Sequence, residues 1–109
     1  MTTDRLWQTY RLEDLWSAMD EGLCVFHAGA RDGRNTLGFT EADGNSCLRS
    51  LRREHFVKSS VDKTGRKGLF HDIYKTTWDG QSVYIKFFRL GIDQPFVVSS
   101  FKRDTDSWA

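Results

Sequence analysis

The sequence predicts an α+β domain in which helices come first and an antiparallel sheet follows. Apolar residues recur at helical spacing only near the start of the chain. From Phe56 onward the pattern changes to short runs rich in β-branched and aromatic residues. The turns between those runs are too short for crossover connections, so neighbouring strands should run antiparallel.

Leu12, Leu15, Trp16, Met19 and Leu23 make one apolar stripe on a first helix. Glu13 and Asp14 sit in its first turn, where the helix dipole favours acids, and Gly22 is a stop. Residues 29–38 are glycine-rich and polar and read as a loop, although no Gly-Lys-Ser/Thr follows to make it a phosphate-binding one. Thr40, with Glu41 and Asp43 behind it, opens a second helix bearing Cys47, Leu48 and Leu51, with Arg49, Arg52 and Arg53 on its other face. Strands are expected over residues 57–61, 69–78, 82–90 and 96–102. Asp79-Gly80 joins the second and third as a hairpin, and residues 91–95 make the next turn. Alternation puts Val83, Ile85 and Phe87 on one face against the helices and Tyr84 and Lys86 on the other. Ser100 and Lys102 share a face opposite Phe101, and His71, Ile73 and Lys75 share one as well.

The length of 109 residues suits one domain spanning 1–109, without internal repeats or linkers. Hydrophobic residues make up 39%, charged residues 28% and aromatics 14%, a globular composition whose large side chains can fill a small core. The first five residues lead into no apolar run, and no stretch approaches the roughly 20 apolar residues of a membrane helix. Two cysteines do not make a disulfide scaffold, so a soluble cytoplasmic domain is expected. The net charge of +1 conceals an asymmetry. Residues 1–48 hold four basic and eight acidic side chains, whereas residues 49–103 hold twelve basic and five acidic. A polyanionic partner for the second half, or a plain solvated basic face, accounts for it.

A metal site is poorly supported: Cys24 and His27 have CxxH spacing, but no second tight pair follows, and neither cysteine has a recognisable activator as a nucleophile. No cofactor or metal is expected. The second half offers a better constellation. Lys58, His71, Tyr84, Lys86, Lys102 and Arg103 come from four adjoining strands without an acidic cluster. Such a face suits cleavage of RNA without a metal, because the ribose 2′-hydroxyl is itself the nucleophile. It needs a base, an acid for the leaving 5′-oxygen, and cations for the charge growing on phosphorus. Histidine titrates in the right range for proton transfer, and lysines bind phosphate as point charges. Each residue also has an ordinary structural role open to it: a satisfied histidine, a half-buried strand tyrosine, edge-strand or solvated lysines.

The C-terminal half resembles the MqsR family of mRNA interferase toxins. The carrying segments are His55-Phe56-Val57-Lys58-Ser59, Phe70-His71-Asp72-Ile73-Tyr74, Gly80-Gln81-Ser82-Val83-Tyr84-Ile85-Lys86 and Ser100-Phe101-Lys102. The resemblance implies a RelE-like fold, with helices packed on a curved antiparallel sheet. It implies a toxin that cleaves single-stranded mRNA, free or on the ribosome, and that a cognate antitoxin neutralises. Lys58, Tyr84 and Lys102 match its active-site lysines and tyrosine. His71 stands where the family pattern has a glutamine, and as the better proton shuttle it would take a larger catalytic share. Lys86, Ser100 and Arg103 would bind RNA. Ser82 looks like a one-residue insertion, a bulge in the hairpin, and the tail with Trp108 runs past the usual end. A non-catalytic RNA-binding module, or a protein-interaction module using the acidic first half and Trp108, are the alternatives.

Overall fold

The computed structural model describes residues 3–105, so the expectation for Trp108 lies outside the described residues. Helices α1 (Leu12–Asp20), α2 (Ala28–Thr36) and α3 (Glu41–Arg49) accompany strands β1 (Cys24–Phe26), β2 (Phe56–Val61), β3 (Phe70–Trp78), β4 (Gln81–Arg89) and β5 (Phe96–Arg103). The strands form one sheet in the order β1-β5-β4-β3-β2. This is the expected α+β architecture, consistent with a RelE-like fold. The sheet is mixed rather than wholly antiparallel, because β1 pairs parallel with β5.

Helix α1 buries Leu12, Leu15 and Ala18 and keeps Glu13 and Asp14 in its first turn. Gly22, at φ +73°, turns the chain out of the helix, so Leu23 lies beyond it and accepts a hydrogen bond from the Phe96 amide. Residues 29–38, expected as a loop, are mostly helix α2. Of the glycines that suggested a loop, Gly33 serves packing instead. A Cβ on Gly33 would stand 2.1 Å from the carbonyl oxygen of Phe101, so α2 lies directly on β5. Ala30 and Arg34, one turn apart, are its buried face. Helix α3 opens with a capping box: Thr40 Oγ accepts from the Asp43 amide, and the Asp43 carboxylate accepts from the Thr40 amide. Only Arg49 of the expected arginine face belongs to α3. Arg49 pairs with Asp20 at 2.6 Å, and Arg52 donates to the Leu51 carbonyl beside a short 3-10 turn that includes Arg53.

Leu15, Cys47, Leu48 and Leu51 meet Val83, Ile85 and Phe87 of β4 and Phe96, Val98 and Phe101 of β5 in one core. Tyr74 stacks on Phe87 there, with ring centres 5.6 Å apart. Asp79 and Gly80 both have positive φ, 51° and 75°, as a two-residue hairpin turn requires. The register from Asp72↔Phe87 to Trp78↔Gln81 is uninterrupted, and Ser82 pairs with Thr77, so Ser82 is not a bulge. The irregularities lie elsewhere: between Phe56 and Lys58 in β2, and opposite Lys86/Phe87 in β5.

The N-terminal segment straps the outer edge of β2. Arg5 and Ser59 exchange two backbone hydrogen bonds of 2.8 Å. The amides of Thr9 and Tyr10 donate to the carboxylate of the fully buried Asp72, at 3.1 and 2.9 Å. That carboxyl is pushed up by burial, against those hydrogen bonds.

Candidate functional site on the open sheet face

The helices cover the face of the sheet that bears Val83, Ile85 and Phe87. The alternate residues of β4 therefore point to the uncovered face. Register extends that face across four strands. Lys58 pairs with Ile73, Ile73 with Lys86, and Lys86 with Ser100, which makes one row. Lys75, Tyr84 and Lys102 make the next row, and His71 lies opposite Ser60. Residues paired in this way have Cβ atoms about 5 Å apart. The irregularity at Val57 keeps Phe56 against Tyr74 in the core while turning Lys58 outward. A shallow cleft of about 250 Å³ lies here, lined among others by Lys58, Asp62, His71, Ile73, Tyr84 and Lys86.

The structure thus brings Lys58, His71, Tyr84, Lys86, Ser100 and Lys102 to one face. Arg103 is different: it pairs with the core residue Val83, so alternation sends its side chain away from Lys102. Lys102 Nζ stands 5.3 Å from the centre of the Tyr84 ring, a cation–π contact. The Lys86 ammonium is pushed down by desolvation first, then by repulsion from Lys63 and Lys102, with Asp62 opposing. A polyanion bound at this face would relieve that repulsion on Lys86. Lys75 is instead 3.5 Å from Asp104.

His71 is the most constrained member. Its Nε2 is 2.8 Å from Asp62 Oδ1, and its Nδ1 is 3.3 Å from Ser99 Oγ. Its ring packs 4.5 Å from that of Phe88, and its side chain is 12% exposed. Burial pushes the imidazole below its ordinary value, against the hydrogen bond it gives to Asp62. Asp62 is itself held from the other side: Oδ2 accepts from the Thr64 amide, the Thr64 hydroxyl and the Arg66 amide. Those hydrogen bonds, from the Thr64 hydroxyl first and His71 next, hold its carboxyl far below the ordinary carboxylate range.

Three contributors escaped the sequence reading. Asp62 is nine residues from His71 and belongs to no motif; its one signal is the short turn Asp62-Lys63-Thr64. Ser99 reaches His71 because it is the unpaired residue in β5 opposite the Lys86/Phe87 step. Asp4 bonds the Val61 amide through Oδ1 at 3.0 Å and Lys58 Nζ through Oδ2 at 3.1 Å. Its carboxyl is lowered by the Val61 amide first and by Lys58 next.

The cysteines do not join this site. Burial pushes the Cys24 thiol up to about 11 and the buried Cys47 thiol up to about 12, so neither is a ready thiolate at neutral pH. Among the described residues no group of three or more His, Cys, Asp or Glu side chains is arranged to hold a metal ion. No helix among them is long and apolar enough to cross a membrane.

The family model described as motility quorum-sensing regulator, toxin of MqsA, matches residues 7–103. A comparison with curated proteins gives no match.

Proposed function

Since the chain belongs to the family of motility quorum-sensing regulator toxins, and so is the toxin of a pair with a cognate antitoxin as partner, we propose that its open sheet face cuts single-stranded mRNA. The observation that carries this reading is the single uncovered face shared by Lys58, Lys86 and Lys102 with His71 and Tyr84. The three cations, on β2, β4 and β5, offer a phosphate backbone lying across the strands several points of contact, and the acids at the face, Asp4, Asp62 and Asp104, are bonded to Lys58, His71 and Lys75 of that face.

The chemistry follows from the substrate. The RNA 2′-oxygen attacks the adjacent phosphorus once a base takes its proton, and the 5′-oxygen leaves once an acid protonates it. His71 and Tyr84 share the proton transfers and position the scissile phosphate. Lys58 and Lys102 stabilise the charge that grows on the phosphorane oxygens, and Lys86 and Ser100 hold the flanking backbone. Arg103, at the far end of β5, contacts RNA only where the strand runs past the edge of this face. The products are a 2′,3′-cyclic phosphate and a 5′-hydroxyl, and no step calls for a metal. Action in the cytoplasm, on free mRNA or on mRNA in the ribosome, fits such a substrate.

The test is RNA incubated with purified protein in EDTA, with end-group analysis of the products. Cleavage to cyclic phosphate ends is expected. Loss of cleavage on chelation rejects the metal-free scheme, and unchanged cleavage by His71→Ala rejects the role given to His71. One observation favours a second reading, in which the face binds RNA and leaves it whole: both ring nitrogens of His71 already have partners. Salt-sensitive binding of RNA that stays intact identifies that case.

A further inference from the structure

The partners of His71 have unequal claims on it. Asp62 Oδ2 accepts from three donors, two of them backbone amides, so the carboxylate cannot rotate away. Oδ1 is thereby fixed 2.8 Å from Nε2 and, as an anion, can only accept there. A neutral His71 must then carry its proton on Nε2 and present Nδ1 as a lone pair. Ser99 Oγ, with a single proton, can give it to that lone pair or to the Lys86 carbonyl, both at 3.3 Å. If another hydroxyl took Nδ1, Ser99 could turn its proton to Lys86 and nothing buried would be left unpaired.

We propose that Asp62 is a positioning residue which locks His71 as the Nε2–H tautomer, so that Nδ1 is the basic atom and Ser99 its place-holder until a ribose 2′-hydroxyl displaces it. The inference rests on the RNA-cleavage reading for its last step alone; the tautomer lock stands on geometry. In that step the O2′ proton passes to Nδ1 as the O2′–P bond forms. The P–O5′ bond breaks, and O5′ takes a proton from the Tyr84 phenol, which the imidazolium later restores through solvent. No water is consumed and the proton count is unchanged. The charged groups around the ring are Asp62 and Arg66 from the β2–β3 connection and Lys86 from β4. Only Asp62 favours the imidazolium that forms.

Asp62→Asn separates this role from simple packing. The amide oxygen must stay with the Thr64 and Arg66 donors, so the amide nitrogen replaces Oδ1 and donates toward Nε2. The His71 proton is then forced to Nδ1, and the base is lost. The experiment is nitrogen-15 NMR of the histidine rings in the full chain near neutral pH, with the rate of RNA cleavage measured on the same samples. The expected result is Nε2–H in the wild type, Nδ1–H in Asp62→Asn with an otherwise unchanged amide spectrum, and cleavage slowed by roughly 10²-fold or more. A wild-type ring in the Nδ1–H form overturns the proposal whether or not any variant folds. So does Asp62→Asn cleaving within twofold of wild type. Should the wild type cleave no RNA, the cleavage reading fails while the tautomer result still decides the role of Asp62.

Discussion

Replacing Asp4 by asparagine should tighten RNA binding. In the free protein Asp4 holds Lys58, one of the three cations of the open face, at 3.1 Å. RNA that uses Lys58 must first break that pair. Asparagine keeps a carbonyl oxygen for the Val61 amide, so the strap on β2 should stay in place while the charge is lost. The two side chains are 45% and 38% exposed, so the pair is water-screened and contributes about 0.2–1 kcal/mol. Released to the RNA, that energy corresponds to an affinity gain of about 1.4- to 5-fold. The assay is fluorescence anisotropy with a short single-stranded RNA methylated at every 2′-oxygen, which binds without being cut. The gain should shrink as salt rises and screens the pair. Equal or weaker binding by Asp4→Asn at low salt would refute the reasoning, because Lys58 would then not be a phosphate contact that Asp4 restrains. Asp4 lies before the residues matched by the family model.

Other outcomes follow from the same geometry. Lys102→Ala should slow cleavage by about 10²-fold or more, if its ammonium stabilises the phosphorane. It should also lower the slope of log affinity against log salt by about 0.7, the signature of one lost phosphate contact to a single strand. Gly33→Ala sets a methyl group 2.1 Å from the Phe101 carbonyl oxygen. Forcing α2 off β5 should outweigh the roughly 1 kcal/mol gained in helix propensity, giving a net loss of at least about 1 kcal/mol and a fall in Tm of at least about 4–8 °C by calorimetry. On acidification, the unfolded chain protonates His71 near its ordinary 6.5 while the folded chain resists until a lower pH, so the unfolded state binds more protons in between. Stability measured by urea titration should therefore fall as pH drops below about 6.5. It should fall again below the ordinary 3.8 of an aspartate, where the unfolded chain protonates Asp62 and the folded one does not. Stability rising over either interval would contradict the environments described.

What the sequence disclosed, and what it hid, divides along the range of the interactions. The stripe from Leu12 to Met19, the Thr40 capping box and the Asp79-Gly80 turn are local, and each was legible because a few neighbouring residues determine it. Alternation in β4 was legible for the same reason and correctly put Tyr84 and Lys86 opposite the core. Helix α2 was hidden because its glycines lower helix propensity, and Gly33 is needed only where β5 comes close, a contact between segments nearly 70 residues apart. Strand β1 was hidden because three residues carry no period; its pairing with β5 defines it. The lysines, Tyr84 and His71 could be nominated by type and parity. The restraints on them, Asp4 on Lys58 and Asp62 with Ser99 on His71, arise from contacts that no spacing encodes. Arg103 shows the converse: its charge suggested the RNA face, and one step of register turned it to the other side.

The most direct test of where RNA sits is amide chemical-shift mapping with the 2′-O-methylated single strand. Perturbations should concentrate at Lys58, His71, Ile73, Tyr84, Lys86 and Lys102 and fade across α1 and α3. Shifts confined to the helix-covered side, with the lysine rows of β2 to β5 unmoved, would contradict it.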